Sequence, residues 1–471
     1  MWYTTVTYDV SSTTSTTQIL YTPGNVIKMF YRGREIPVST SYKFPETGKQ
    51  SITFGFSNSK NITIYQFENC KAIVDIQLGS QIKVLRDECY KDASIESINL
   101  PNGLIEISTS AFCGCTNLKQ INIPDSVMVI NDYAFYGCTS LTDVIVGDGV
   151  TDIGNYAFYG CSSLTNIVLP TSLIRIRDYA FLGCTNIVNF NITADDIGKS
   201  AIESKFLTEE NGVIYAGDVA VGVTNSSATT YTLRENTKGI SGAFSGCTKL
   251  TGITIPDSVV SIGANSFYNC TRLSTINIPN GVYHVGCDAF YNCKALPREG
   301  NVTYIDGWAV YSNGYVSEIK AGTKGISSLN LLQYDASKLS LPDTLAIIDD
   351  WAFADAQQIT NITIPDSVVR IGEYAFNQCY KLTGVTIGNS VKSIGRKAFS
   401  SIGRSVTITL PDSVIEIDNE GFHGNHVSTI SMSIIIGSGV KRIGNLRYCK
   451  IISSDSDLEA YDITKYPKAF Y

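Results

Sequence analysis

The segments LTGITIPDSVVSIGANSFYNC (Leu250–Cys270) and ITNITIPDSVVRIGEYAFNQC (Ile359–Cys379) are copies of one motif, and its recurrence constrains the fold more than any other feature. A marker aromatic locates each copy. The first run is Phe112, Phe135, Phe158 and Phe181, the second is Phe244, Phe267 and Phe290, and the third is Phe353, Phe376, Phe399 and Phe422. Steps within a run are 23 residues, and both gaps between runs are 63. Phe67 and Tyr90 continue the series upstream in degenerate copies. A fixed period of this size specifies a solenoid, in which each unit buries its apolar edge against its neighbours. Such a chain offers a surface for contact more readily than a pocket for chemistry.

Each part of the motif has a physical reading. In L-x-x-I-x-I-P the last two isoleucines alternate with one outward residue, which is the period of a short strand with one buried face. Pro or Gly ends that strand, as at Pro124, Gly147, Pro170, Pro256, Pro279, Pro365 and Gly388. The Asp-Ser pairs that follow, at 125–126, 257–258, 366–367 and 412–413, are turn residues whose side chains can bond nearby backbone N–H groups. V-x-x-I-G then runs back across the coil, and its glycine (Gly154, Gly263, Gly372, Gly395) suits a tight bend. A-F-x-x-C closes the unit with a small Ala, a large Phe and a small thiol directed inward.

The full pattern, L-x-x-I-x-I-P-x-S-V-x-x-I-G-x-x-A-F-x-x-C, resembles the BspA-like, treponemal-type leucine-rich repeat family from about Asn61 to Cys449. The resemblance implies a mainly β fold: a parallel leucine-rich-repeat solenoid with one short strand per coil. It also implies binding or adhesion at a cell or virion surface, through no particular ligand.

Composition agrees with that class. Only 17% of the 471 residues are charged, and the net charge of -7 argues against a nucleic-acid backbone or an anionic membrane as the main partner. No apolar run is long enough to span a bilayer. The opening MWYTTVTYDV lacks the basic and apolar regions of a signal peptide, which leaves the route to an extracellular surface or virion open. Nine of the 13 cysteines lie three residues after the marker aromatic: Cys70, Cys115, Cys138, Cys161, Cys184, Cys247, Cys270, Cys293 and Cys379. A packing position of this kind predicts buried free thiols rather than a disulfide framework.

Four regions depart from the repeat. Residues 1–60 read as a small N-terminal antiparallel β domain, either a cap on the first coil or a module for attachment to other virion subunits. The 61–450 solenoid carries β-hairpin inserts at about 187–240 and 295–349, and 451–471 form a C-terminal tail or cap. Each insert shows strands separated by Asn211-Gly212 and Gly217-Asp218, or by Asp306-Gly307 and Asn313-Gly314. Asn-Gly and Asp-Gly are hairpin turns, so each insert reads as a three-stranded meander, the second with its third strand after Asn313-Gly314.

The chain shows little chemistry. Its histidines are His284, His423 and His426, and H-G-N-H at 423–426 with Glu420 falls short of a zinc ligand set. No phosphate loop or nucleophile elbow is present, so no catalytic residue, metal or cofactor is expected. Two surfaces remain. One is the outward strand row, with Asn122, Thr254, Asn277, Thr363, Thr386 and Thr409. The other is aromatic: Tyr136, Tyr159, Tyr268 and Tyr291 just after the marker, and Tyr133, Tyr156, Tyr179, Trp351 and Tyr374 two before it. The inserts add Tyr215, Tyr304, Trp308, Tyr311 and Tyr315 as candidate binding residues that could project from hairpins. The expected function is non-enzymatic binding of a host or bacterial surface protein or glycan. The alternative is a phage virion fibre or tail-associated host-attachment protein. Neither reading involves nucleic acid or membrane insertion.

Overall fold

The computed structural model describes residues 2–20, 26–56, 67–314, 316, 318–329, 339–403, 406–418, 421–423, 432–440, 442–443 and 449–452. These are almost wholly strand and turn, with one 3-10 turn at Ser204–Phe206 and no α-helix among the described residues. Two compact units result: residues 1–208 with 215–219, and residues 209–214 with 220–471.

The first unit opens with an antiparallel sheet. Trp2–Val10 pairs with Gly48–Phe56, which pairs in turn with Val26–Tyr31. The latter folds back onto Arg34–Ile36 through Arg32 and Gly33, whose φ values of 49° and 76° make the primed turn that hairpin twist favours. The other edge of Trp2–Val10 pairs antiparallel with Ile73–Gln77, and that strand pairs parallel with Ser97–Asn99. The N-terminal sheet therefore covers the strand edge of the first coil, an edge that would otherwise invite pairing with another chain.

The coils that follow stack in register. One ladder runs through Gln120–Ile123, Asp143–Val146 and Asn166–Val168, with Ile121, Val144 and Ile167 inward. A second, made of two-residue strands, runs from Val84–Leu85 to Asp196–Ile197. The third corner has no strand. There the marker aromatics stack nearly parallel, with centroids 5.1 Å apart for Phe112–Phe135, 5.0 Å for Phe135–Phe158 and 5.1 Å for Phe158–Phe181. The second unit repeats the arrangement from Phe353 through Phe376 and Phe399 to Phe422.

All nine in-register cysteines are buried and free. Most of their thiols bond between coils: Cys138 donates to the Phe112 carbonyl at 3.2 Å, Cys161 to Phe135 at 3.2 Å and Cys184 to Phe158 at 3.1 Å. Cysteine is thus a small apolar filler that also satisfies a core carbonyl. Burial drives the Cys70 thiol up to about 12 and raises Cys138 and Cys270 as well, so these groups stay protonated.

Three local expectations need correction. The Asp-Ser side chains bridge coils rather than closing their own turns. Asp366 accepts from the Asn389 N–H at 2.7 Å, and Ser367 donates to the Leu345 carbonyl at 2.7 Å. The V-x-x-I-G glycines answer a close approach rather than a bend: a Cβ on Gly154 would lie 2.6 Å from the Asp132 nitrogen, and one on Gly372 2.5 Å from that of Asp350. The second insert is a meander of Arg298–Glu299, Val302–Ile305 and Trp308–Ser312, so its third strand precedes the hairpin instead of following Asn313-Gly314. Trp308–Ser312 then pairs parallel with Gly325–Ile326 and joins the ladder.

Candidate functional site

The turn-rich corner presents two rows of side chains, one on each side of the buried marker stack. Backbone geometry builds them. The residue two before each marker has positive φ: 57° at Ser110, 58° at Tyr133, 55° at Tyr156, 57° at Tyr179, 59° at Trp351 and 53° at Tyr374. The residue two after the marker is also left-handed, usually as Gly or Asn, as at Gly137, Gly160, Asn269 and Asn292. The two left-handed residues turn the chain around the aromatic and direct the flanking side chains outward.

In the first unit those side chains form one tyrosine cluster. Tyr133 stacks on Tyr156 at 5.0 Å and Tyr156 on Tyr179 at 4.8 Å, while Tyr136 stacks on Tyr159 at 5.1 Å. The rows also touch each other, Tyr133 on Tyr136 at 5.8 Å and Tyr156 on Tyr159 at 5.6 Å, both tilted. Burial and the adjoining tyrosines raise the Tyr156 phenol, which keeps it neutral. In the second unit Tyr268 stacks on Tyr291 at 5.0 Å, Tyr311 meets Tyr291 edge-on at 5.5 Å, and Arg298 lies over Tyr311 at 5.8 Å. Trp351 stacks on Tyr374 at 4.4 Å, with Lys397 above Tyr374.

The structure therefore brings Tyr136 together with Tyr159, and Tyr268 with Tyr291 and Tyr311, on outward rows. Two other candidates are corrected. Trp308 and Tyr215 are each 0% exposed, so neither can be a contact residue. Trp308 is buried because its strand joins the ladder, where it packs on Gly325; a Cβ there would come within 2.5 Å of the indole. Tyr304 is half-buried, and its hydroxyl accepts from the Lys320 N–H at 3.1 Å. Tyr315 lies outside the described residues, as do His426 and Glu420 of the H-G-N-H segment.

The strand row is less uniform than its Thr and Asn suggested. Asn122, Thr254, Thr363, Thr386 and Thr409 are exposed, but Asn277 bonds back to both polar backbone atoms of Ile255. Ile145 and Val168, 52% and 60% exposed, share the row of Asn122, and Val188 nearby is 70% exposed. The sequence signal was an apolar residue between the two inward ones in D-V-I-V and N-I-V-L.

One buried polar cluster was not visible in the sequence. His284 meets Asp349 at 3.0 Å, Asp349 also accepts from the Val285 N–H at 2.6 Å, and Arg370 donates to Asp349 at 2.8 Å and to Asp350 at 3.1 Å. His284, Asp349 and Asp350 lie close enough together to share a metal ion. The guanidinium already supplies the positive charge, and Asp349 is fully buried, so the arrangement is that of a closed structural staple. Burial disfavours a charged His284, but the Asp349 carboxylate outweighs it and the imidazole pKa is raised. Among the described residues, no helix is long and apolar enough to cross a membrane.

A family model described as "BspA type Leucine rich repeat region (6 copies)" matches residues 39–128, 83–209, 224–330 and 325–452. No curated protein matches the sequence. Among solved structures, a leucine-rich repeat protein from Bacteroides ovatus is 24% identical over 71% of this chain and 86% of that one, with a TM-score of 0.26. A leucine rich cell surface protein from Faecalibacterium prausnitzii is 24% identical over 76% and 86%, with a TM-score of 0.28. A leucine rich repeat protein of T. pallidum is 20% identical over 50% and 86%, with a TM-score of 0.20.

Proposed function

Because this chain belongs to the BspA type leucine-rich repeat family, we propose that it is a non-enzymatic binding or adhesion protein that presents its repeat surface to a protein or glycan on a cell surface. The observation that carries this reading is the placement of Tyr133, Tyr156 and Tyr179 at left-handed backbone positions. Equivalent positions elsewhere hold Ser110, Asn265 and Asp288. A bulky residue there costs about 1–2 kcal/mol, and one ring stack returns about 0.5–1.5 kcal/mol. The tyrosines are therefore close to neutral for the fold, and what they add is a rigid outward aromatic wall.

The test is saturable binding of the fluorescent chain to intact bacterial and host cells. Tyr156→Asn with Tyr159→Ser should weaken it about tenfold or more, since aromatic anchors dominate contact energy, while the melting temperature stays within a few degrees. Absence of saturable binding to any surface, or indifference to the double variant, would sink the reading. A second reading, attachment to a virion through residues 1–60, draws on the sheet edge at Arg34–Ile36, which among the described residues pairs only with Val26–Tyr31. Electron microscopy of purified particles with a tag at residue 1 would test that.

A further inference from the structure

The tyrosine rows stop abruptly at one coil, and the stop leaves a notch. Backbone bonds fix the register: the Ser110 N–H donates to the Asp132 carbonyl, Phe112 to Ala134 and Gly114 to Tyr136. Ser110 and Cys113 thus occupy the places that Tyr133 and Tyr136 hold one coil later. One coil earlier the places belong to Glu88 and Lys91, joined by an ion pair of 2.9 Å. Small side chains therefore lie between an aromatic wall and an ionic wall. Exposure follows the same order, with Tyr133 38% and Tyr136 36% exposed while Tyr156, Tyr159 and Tyr179 are half-buried.

We propose that this notch binds a neutral hexopyranose, whose ring continues the tyrosine stack over Ser110 and Cys113. The inference rests on the binding reading above and names its site and ligand class. Three observations support it. The layer over Ser110 and Cys113 is one ring spacing thick, because the stacks behind Tyr133 and Tyr136 repeat at 5.0 Å and 5.1 Å. A sugar ring fits such a layer and turns a face of C–H groups, positive at hydrogen, toward the negative face of an aromatic ring. The two outer rings are inclined at 49° and are backed by Tyr156 and Tyr159, so they are held in place before any ligand arrives. The opposite wall offers an acceptor in Glu88 and a donor in Lys91, with the Ser110 hydroxyl able to do both, which suits ligand hydroxyl groups. Glu88 and Lys91 offset each other, and the Asp92 carboxylate against Gly114 beside Cys113 adds a negative charge, so the notch favours a neutral sugar over an anionic one.

The test uses the full chain with methyl β-D-glucopyranoside and methyl β-D-galactopyranoside, read by saturation transfer from protein to sugar protons and by titration. At least one glycoside should bind, and Tyr136→Ala should weaken it about tenfold. The decisive variant is Ser110→Tyr with Cys113→Tyr. It fills the notch with side chains that the next coil already carries on the same backbone, so folding should persist and sugar binding should vanish. Undiminished sugar binding in that variant would overturn the notch while leaving a glycan-binding role elsewhere. No transfer to either glycoside at about 10 mM, a weak-affinity ceiling, would overturn the sugar assignment. So would notch-dependent capture of a proline-rich peptide in place of the sugars. Cell binding that persists in either case would preserve the broader reading.

Discussion

Tyr90 occupies a marker position that phenylalanine fills in every regular coil, and its hydroxyl exposes a weak point in the stack. The ring sits between Phe67 at 5.5 Å and Phe112 at 5.3 Å, both nearly parallel to it. The residue is 0% exposed, and the hydroxyl oxygen has no hydrogen-bond partner among the described residues. Leaving a polar group buried and unpaired costs about 1–3 kcal/mol. Tyr90→Phe removes that group without opening a cavity, since both ring stacks and nearly all the volume remain. The variant should therefore be more stable by about 1–3 kcal/mol. For a unit of this size each kcal/mol moves the melting temperature by roughly 2–4 °C. Circular-dichroism melts with urea titrations would measure it, and a shift in the urea midpoint at constant slope would mark a true stability change. The converse, Phe135→Tyr, should destabilise by a similar amount, because it buries a hydroxyl in the middle of the same stack. If Tyr90→Phe lowers the melting temperature, the hydroxyl holds a partner and the apolar-column argument fails.

Other consequences follow from the same packing. Phe158→Ala removes one ring from the column and two stacked contacts, at 5.0 Å and 5.1 Å; it should cost about 3–5 kcal/mol, and a urea midpoint near that of the parent would refute the core assignment. Thiol reagents should leave Cys138, Cys161 and Cys270 untouched in native protein and label them on unfolding, because burial keeps all three protonated; fast native labelling would contradict the inward ladder. Stability of the second unit should depend on pH through His284 and Asp349. The raised imidazole contributes below its unfolded value of about 6.5 and loses that contribution as pH rises through the folded value. The Asp349 carboxylate, held low, contributes above about 3.9 and loses it only as pH falls through the folded value, which lies lower still. Melts between pH 5 and 8.5 should therefore fall toward the alkaline side, with Asp350 and Arg370 as the other charges present, and His284→Gln should flatten the trend; a flat parent profile would count against the staple. Trp308→Ala should lower stability rather than affinity alone, since the indole is buried against Gly325, and an unchanged melt would show that the side chain is not core.

Local periodicity made the repeat legible. The inward Ile, Phe and Cys positions, the strand ends and the hairpins at Asn211-Gly212 and Asp306-Gly307 could all be read from spacing, because each is set by residues a few positions apart. What spacing could not give was the partner across coils. Trp308 looked like a hairpin tip until its strand joined the ladder, where Gly325 makes room for the indole. His284 and Asp349 are 65 residues apart and meet only once the second insert has been accommodated. The Asp-Ser pairs looked like local turn closures because their bonding partners, about one period away, carry no sequence mark of that role. The left-handed backbone at Tyr133 and Tyr156 was hidden too, since tyrosine is a poor advertisement for positive φ.

That last point bears on how such a chain separates folding from display. Each coil is held by inward residues and by bonds to its two neighbours, so stability is a sum over adjacent pairs. The side chains two before and one after the marker add little to this sum, since the cost of positive φ and the gain from stacking nearly balance. They accept Ser110 and Cys113, Tyr133 and Tyr136, or Asn265 and Tyr268 on the same backbone. A row of rings can therefore start or stop at any coil with little effect on the core. Where a row stops, the final ring keeps one open face, fixed in direction by the rings behind it. The ends of the rows, more than their middles, are the places where this architecture can offer a flat ligand a preorganised surface.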